Sequence, residues 1–329
     1  MSTALSTRRA TADSIWLSRL LWLLAGGLAA NSILGPLVLG IVDYRYTDTL
    51  INQGIGLDTV TLFVATPLAI ISALLVVRRH PAGPVLALSP ATFAAYMSPQ
   101  YVIGPDYLGL PGNNERFFGF HVALFIVGIS ATIAAWRSVD RSQLRPDTDR
   151  SDRRRSLVLF GMVAFIVGGR WLAGTIDLIQ GNPSSVDYLE NPTAYLLIGL
   201  LDLGIIVPAA TATALALRKH ATWARTAAYA VIGWFALVPA SVAAMAIVMQ
   251  INGDPDATTG KTAMFVVAAI VFTGAAVRLY RPMFTFRSNV LTAPSIDAGT
   301  WDEPRNDFES ATCSGPKDPV DDVRSRRAS

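Results

Sequence analysis

Long apolar runs alternate with short polar segments along the chain, a pattern typical of helices that cross a membrane. A span needs about 20 mostly apolar residues, because a helix rises ~1.5 Å per residue. The runs predict spans at residues 15–41, 57–77, 84–103, 117–136, 157–180, 193–217, 226–250 and 261–280. The third run is the weakest, since it contains Pro84, Pro90 and Pro99. We predict an all-α polytopic membrane bundle of eight transmembrane helices.

Composition supports this class and narrows the chemistry. The 329 residues are 52% hydrophobic and 16% charged, which is far more apolar than an ordinary soluble domain. A single cysteine, Cys313, excludes an internal disulfide and a cysteine-based metal cluster. The sequence has no phosphate-binding glycine loop, HExxH motif or nucleophile elbow. We expect no cofactor, no metal and no nucleic-acid partner, and we favour a protein that is not an enzyme.

Basic residues concentrate on one side of the predicted spans. Cytoplasmic loops carry an excess of Lys and Arg. Seventeen basic residues fall on the proposed cytoplasmic side: Arg8, Arg9, Arg78, Arg79, Arg137, Arg141, Arg145, Arg150, Arg153, Arg154, Arg155, Arg218, Lys219, Arg225, Arg278, Arg281 and Arg287. The opposite loops hold three, Arg45, Arg116 and Lys261, among several acidic residues. Both termini are therefore predicted to be cytoplasmic, in a plasma membrane.

The same pattern divides the chain into five segments. We predict a cytoplasmic N-terminus at 1–14, a first four-helix membrane unit at 15–136 and a basic cytoplasmic linker at 137–156. A second four-helix unit follows at 157–283, and 284–329 is predicted to be a disordered cytoplasmic tail because it is polar and rich in proline. Anionic membrane lipid is the partner that the basic linker and tail favour.

The two membrane units resemble each other at a period of roughly 140 residues. Pro67 precedes His80 at the end of one apolar run, and Pro208 precedes His220 at the end of another. Asp58 and Asp202 lie upstream of these prolines. We interpret the pattern as two parallel repeats, which in transporters place sites at the repeat interface. The alternative is that any two apolar helices with basic ends look alike.

Three ionisable residues lie inside the two consecutive spans predicted at 157–180 and 193–217, where burial of a charge is costly. Arg170 and Asp202 sit on consecutive antiparallel spans at similar depth, so they can pair, and Asp177 follows Arg170 by two helical turns. They are the leading candidates for a ligand site or an ion pair. A structural pair that fixes two helices is the alternative to a solute or proton site.

A polar loop on the outer side supplies a second group of candidates, Asp106, Glu115 and His121. Loops often carry binding residues. The alternative is an interfacial cap, with neighbouring aromatic residues in the membrane–water interface. His80, His121 and His220 cannot meet at one haem, since His121 lies on the opposite side from the other two.

Three short stretches resemble an uncharacterised family of bacterial multi-pass membrane proteins, of the actinobacterial type. They are Thr-Ile-Asp-Leu at 175–178, Asp-Leu-Gly-Ile-Ile-Val-Pro at 202–208 and the run at 114–125. The resemblance covers most of 15–285. It implies an integral plasma-membrane protein and no particular activity.

Three functional hypotheses follow from these features. The first is a binding or transport module for a small solute or ion, using Arg170 and Asp202. The second is a structural or assembly protein without a ligand. The third, a membrane-embedded lipid-modifying enzyme, requires Asp106, Glu115 and His121 to act together near the lipid headgroups. Protein partners and oligomeric state are left open.

Overall fold

The described part of the protein is a bundle of eight long helices. The computed structural model describes the backbone of residues 2–142, 144 and 149–291, and the side chains of 14–142, 144 and 149–284. Within these ranges the helices are α1 (Ser2–Leu34), α2 (Asp48–Val77), α3 (Ala82–Ile103), α4 (Phe118–Ser138), α5 (Asp149–Ile179), α6 (Pro192–Arg218), α7 (Ala224–Ile251) and α8 (Thr259–Leu291). The described residues contain no strand, which confirms the all-α prediction.

Seven of these helices are long and apolar enough to cross a membrane, so the protein is a multi-pass membrane protein. The exception is α3, the predicted weak span, which contains Pro90 and Pro99 but still forms a helix of 22 residues. It is the inner helix of the bundle rather than a lipid-facing one, because most of its residues are buried. Neighbouring helices there replace the lipid contacts that an apolar face would need.

Several helix boundaries differ from the prediction. The first helix ends at Leu34 rather than at 41, and it begins at Ser2, within the predicted cytoplasmic N-terminus. α2 begins at Asp48, nine residues before the predicted span, because Thr47 caps it by accepting from the Leu50 amide. α5 takes in residues from 149 of the predicted linker. α8 continues to Leu291, and the rest of the predicted disordered tail lies outside the described residues.

Hydrogen bonds join the loops at one end of the bundle, and the other described loops lie at the opposite end. At one end, the Asp43 amide donates to the Asn113 side chain at 2.9 Å, and Asn191 donates to the Gly104 carbonyl at 2.9 Å. We call this the acidic end; it comprises residues 35–47, 104–113, 180–191 and 252–258. The opposite, basic end comprises 78–81, 139–142 and 219–223, and its neighbourhood contains the ion pair between Arg225 and Asp152.

The helices pack as two groups that meet at α3 and α7. α1 to α4 contact one another in sequence, and so do α5 to α8. Between the groups, α3 contacts α6 and α7, and α7 also contacts α2. Gly56 makes the last contact possible, since an added Cβ would lie 2.4 Å from the backbone of Met245. α2 and α7 therefore touch backbone to backbone.

Much of the outer surface is apolar, as expected for helices that face lipid. Large side chains on several helices are exposed, among them Phe63 (69%), Leu200 (66%) and Ile270 (67%). The interior contains many alanines and glycines in close contact, which is typical of membrane helices because small residues let backbones approach.

Candidate functional site

A cavity of about 150 Å³ lies where the two helix groups meet. It is bordered by α2, α3, α5, α6, α7 and α8 and by the loop at 35–47. Its walls are mainly apolar and aromatic, for example Met97, Phe165, Ile166, Phe235 and Val238. Most of the contributing residues lie in the helix halves nearest the acidic end, so that end offers the shorter route to solvent.

Arg170 and Asp202 are the charged residues in the lining of this cavity. The Arg170 Nε atom lies 4.0 Å from Asp202 Oδ2. The structure thus brings together two of the three intramembrane candidates and places both at one cavity. It does so at the long limit of an ion pair, since a charge-assisted hydrogen bond measures about 2.7–2.9 Å.

Asp202 is held by shorter bonds from two neutral donors. The Tyr96 hydroxyl donates to Oδ1 at 2.6 Å, and the Trp171 indole donates to Oδ2 at 2.8 Å. The residue is only 6% exposed. Each carboxylate oxygen therefore has a donor without help from Arg170, and the side chain ties together α3, α5 and α6.

Arg170 is less constrained than its partner. Its side chain is 31% exposed, and its guanidinium lies 5.2 Å from the centre of the Trp171 ring. Among the described residues it donates no hydrogen bond, so a planar group with five N–H donors borders the cavity without an acceptor. A cation in an apolar bundle needs such acceptors, and this need is the main chemical feature of the site.

Local helix geometry explains how these side chains reach the cavity. Arg170 belongs to a π-helical segment, Phe165–Trp171, and Asp202 begins another, Asp202–Ile206. The second segment ends just before Pro208, whose ring would clash with a carbonyl of a regular helix. The Val207 amide accordingly bonds back to the Asp202 carbonyl, five residues away. Such bulges are common at functional sites because they re-aim side chains.

A third π-helical segment, Thr61–Ala65, lies on α2 in the same position relative to Pro67. In both helices the π segment begins six residues before the proline. Left-handed backbone at Arg79 (φ 52°) and His220 (φ 53°) follows each proline by twelve residues. In this register the position of Asp202 matches that of Thr61, and Asp58 lies three residues before that position.

Asp177 does not join the cavity site. Its carboxylate accepts a hydrogen bond from Ser184, in the loop that follows α5. As the spacing of two helical turns predicts, Asp177 lies closer to the acidic end than Arg170 does. Its partner, however, is the nearby Ser184 rather than Arg170. It helps to close the turn at Gly181, whose φ of 69° suits glycine.

The three outer-loop candidates lie in separate environments. Asp106 accepts from the amides of Leu108 and Gly109 and so shapes its own turn. Glu115 pairs with Arg45 at 2.7 Å on the surface. His121 is not interfacial: it is 1% exposed inside the bundle. Because the three do not converge, the geometry gives no support to the lipid-modifying enzyme.

Sequence reasoning missed the aromatic residues that complete the cavity. Tyr96 and Trp171 hold Asp202, and Trp234 packs edge-on to Tyr96 with ring centres 4.9 Å apart. The Trp234 indole N–H is buried without a partner among the described residues. The sequence did contain one indication: Tyr96 lies in the span interrupted by proline, and such a span rarely faces lipid. Periodicity does not show that the partners of Asp202 are side chains 31 and 106 residues away.

The route from the acidic end passes two tyrosines of the loop at 35–47. Tyr44 and Tyr46 both border the cavity. Burial raises the pKa of each hydroxyl above its ordinary value, so both are uncharged at neutral pH. The part of the cavity wall that this loop contributes is therefore polar and uncharged.

No family model matches the chain, and neither the curated proteins nor the solved structures give a match. The resemblance to a bacterial membrane family stays a prediction. Functional inference rests on the geometry of the cavity.

Proposed function

We propose that this integral membrane protein binds a small amphipathic monoanion, a carboxylate of about the size of benzoate, in the cavity beside Arg170. Binding is the step that a solute transporter and a membrane receptor share. The proposal leaves the direction of any transport open, because both the binding and the transport reading use the same site.

The observation that supports the proposal is the set of unused donors on Arg170. Asp202 is already bonded to Tyr96 and Trp171, and Arg170 reaches it only at 4.0 Å. A guanidinium matches a carboxylate with two parallel hydrogen bonds. A ligand carboxylate would supply the acceptors that the described residues do not.

The size and lining of the cavity favour a ligand with an apolar body. A cavity of about 150 Å³ is comparable to one that accommodates benzene in a soluble protein. Aromatic walls such as Phe165, Phe235 and Trp234 suit a flat ring. An inorganic anion such as phosphate would leave these walls without contacts, and a long-chain lipid would exceed the space.

Orientation and symmetry belong to the same proposal. We propose that the protein lies in a bacterial plasma membrane. The distribution of Arg and Lys favours an orientation with the acidic end outside the cell and the basic end facing the cytoplasm. We also propose that α1–α4 and α5–α8 are parallel repeats. The matching register of the two π segments, the two prolines and the two left-handed helix ends supports this. The cavity would then lie at the repeat interface, where parallel-repeat transporters hold their substrates.

Calorimetric titration of the purified protein in lipid nanodiscs tests the proposal. Benzoate should bind, whereas benzyl alcohol, which keeps the ring but lacks the charge, should bind at least ten-fold more weakly. Arg170→Gln should abolish benzoate binding, and Arg170→Lys should retain part of it. Arg116→Gln is the matched control, since Arg116 is an exposed arginine near the acidic end. Equal affinity of wild type and Arg170→Gln would contradict the proposal.

A second candidate, a structural role without a ligand, is favoured by one observation. Asp202 joins three helices through bonds of 2.6 and 2.8 Å. If fixing those helices were the whole purpose of the site, Arg170 would serve only to balance the charge of Asp202. Thermal unfolding in detergent separates the two: a purely structural site predicts no stabilisation of the wild type by benzoate.

A further inference from the structure

A second buried carboxyl, Asp58, lies in the first helix group away from the cavity lining. It is 0% exposed and sits on α2 one turn before the π segment Thr61–Ala65. Its surroundings come from α1, α3, α4 and the loop at 35–47. The proposal that follows does not depend on an anion bound at Arg170.

The hydrogen bonds to Asp58 all come from neutral donors and reach one oxygen. Asn31 and Ser32 of α1 donate to Oδ1 at 3.4 and 3.3 Å, and the Tyr101 hydroxyl of α3 donates to it at 3.3 Å. Oδ2 is buried and has no hydrogen-bond partner among the described residues. An ionised carboxylate would leave half of its charge without a donor.

No cation among the described residues forms an ion pair with Asp58. The titratable groups that face it are Tyr101 on α3, Tyr44 in the loop at 35–47 and, behind Asn31, His121 on α4. α1 contributes only the amide of Asn31 and the hydroxyl of Ser32. A carboxylate in an apolar bundle without a cation takes up a proton, because transfer of the isolated charge out of water costs far more.

The surrounding groups form a connected polar cluster. His121 Nε2 lies 3.1 Å from Asn31 Oδ1, and the His121 ring stacks on Tyr101 with centres 5.2 Å apart. Tyr44 stacks on Tyr101 in turn, at 5.4 Å. The Tyr44 hydroxyl and His121 Nδ1 are buried without hydrogen-bond partners among the described residues. Spare donors and acceptors next to a neutral acid are what proton exchange requires.

We propose that Asp58 is a proton-binding site that exchanges its proton with the cavity through the Tyr101 hydroxyl, at the wall that Tyr101 and Tyr44 form. Both tyrosines border the cavity as well as the Asp58 cluster. Protonation places a hydrogen on one carboxyl oxygen, and release returns it to water that enters from the acidic end. No other co-reactant is needed. The protein would then hold a proton and an anion at two separate places that share one wall.

Infrared difference spectroscopy in nanodiscs at neutral pH tests this proposal without any ligand. The wild type should show the C=O stretch of a protonated carboxyl, and deuterium exchange should shift that band. Asp58→Asn should remove the band, whereas Asp202→Asn should leave it in place. Tyr101→Phe, which deletes one donor, should shift the band without removing it, and this variant gives an answer even if Asp58→Asn does not fold.

Two results would overturn the proposal. One is a wild-type spectrum without a protonated-carboxyl band at neutral pH, or a band that persists in Asp58→Asn. The other is a band that disappears when sodium replaces potassium at constant pH, because Asp58 would then bind a metal cation in place of a proton. Neither result would bear on benzoate binding, so the two proposals fail separately.

Discussion

Asp58 and Asp202 are both buried and occupy similar positions along their helices, but their hydrogen-bond partners differ. Asp202 begins a π-helical segment, and Asp58 lies three residues before another. Each accepts a hydrogen bond from the hydroxyl of a tyrosine on α3. Asp202 has short bonds to both oxygens and an arginine at 4.0 Å. Asp58 has three long bonds to one oxygen and no cation in reach among the described residues.

Our proposal for Asp58 implies that burial alone does not decide the charge of a carboxyl group. Donor geometry and the presence of a cation separate a carboxylate, at Asp202, from a neutral acid, at Asp58. It also assigns the two helix groups different tasks. The group that contains Arg170 presents a charge to the cavity, and the other holds a titratable group behind the cavity wall.

The largest expected effect on stability comes from disturbing the contact between α2 and α7, where the two helix groups meet. Gly56 lies two residues before Asp58 and lets α2 touch the α7 backbone. Gly56→Ala should destabilise the protein by about 2–3 kcal/mol, because an added methyl overpacks a contact between backbones. Gly54→Ala is the control: no atom lies within 4 Å of its added Cβ, so it should be neutral or slightly stabilising. Thermal unfolding in detergent measures both, and equal effects would show that α2 and α7 do not meet as described.

The second effect concerns the charge of each aspartate. Asp202→Asn removes the negative charge that faces Arg170 and leaves the guanidinium uncompensated. It should lower the free energy of unfolding by about 2 kcal/mol. Asp58→Asn should cost less than about 1 kcal/mol, because an amide closely replaces a neutral acid. Denaturation in detergent compares them. A larger loss for Asp58→Asn would argue that Asp58 is ionised.

The third prediction tests which partner of Asp202 matters. Arg170→Leu leaves Asp202 with the Tyr96 and Trp171 donors. Asp202→Leu leaves those two donors without an acceptor and Arg170 without a counter-charge. Asp202→Leu should therefore be the more destabilising change, by about 1–2 kcal/mol. In the double variant, the gain from removing the unpaired charge should recover part of the loss. Full recovery would mean that the tyrosine and tryptophan bonds contribute little.

The smallest effect is expected at the surface pair of Arg45 and Glu115. Their contact is short, 2.7 Å, but the Glu115 side chain is 53% exposed, and exposed pairs contribute little because water screens them. Glu115→Gln should change the melting temperature less than any variant above. A shift as large as that of Asp202→Asn would mean that the acidic-end loops, rather than the cavity, hold the bundle together.

Periodicity and hydropathy were enough to predict the class of fold and most helices, because long apolar runs have few alternatives in a membrane. They also indicated Arg170 and Asp202, since charges inside spans stand out. The length of α2 was underestimated, because its first nine residues include Asn52 and Gln53 and do not read as a span. Its polar start is stabilised by the Thr47 cap and by Asn52 bonding to Asp254.

The rest depended on contacts between distant segments. Nothing in the run around Tyr96 indicates that its hydroxyl meets a carboxylate 106 residues later. His121 was expected at an interface because it follows a polar loop, yet stacking on Tyr101 and bonding to Asn31 bury it. A polar residue at a span end reads the same in sequence whether its helix face points outward or inward.

The central claim, that the cavity beside Arg170 binds a small carboxylate, is tested most directly by a crystal structure of the protein soaked with 4-bromobenzoate. Anomalous scattering from bromine locates the ligand without ambiguity. We predict one strong peak inside the cavity, with the carboxylate within hydrogen-bonding distance of the Arg170 guanidinium. Bromine found only at the lipid-facing surface, with Arg170 unchanged beside Asp202, would contradict the claim.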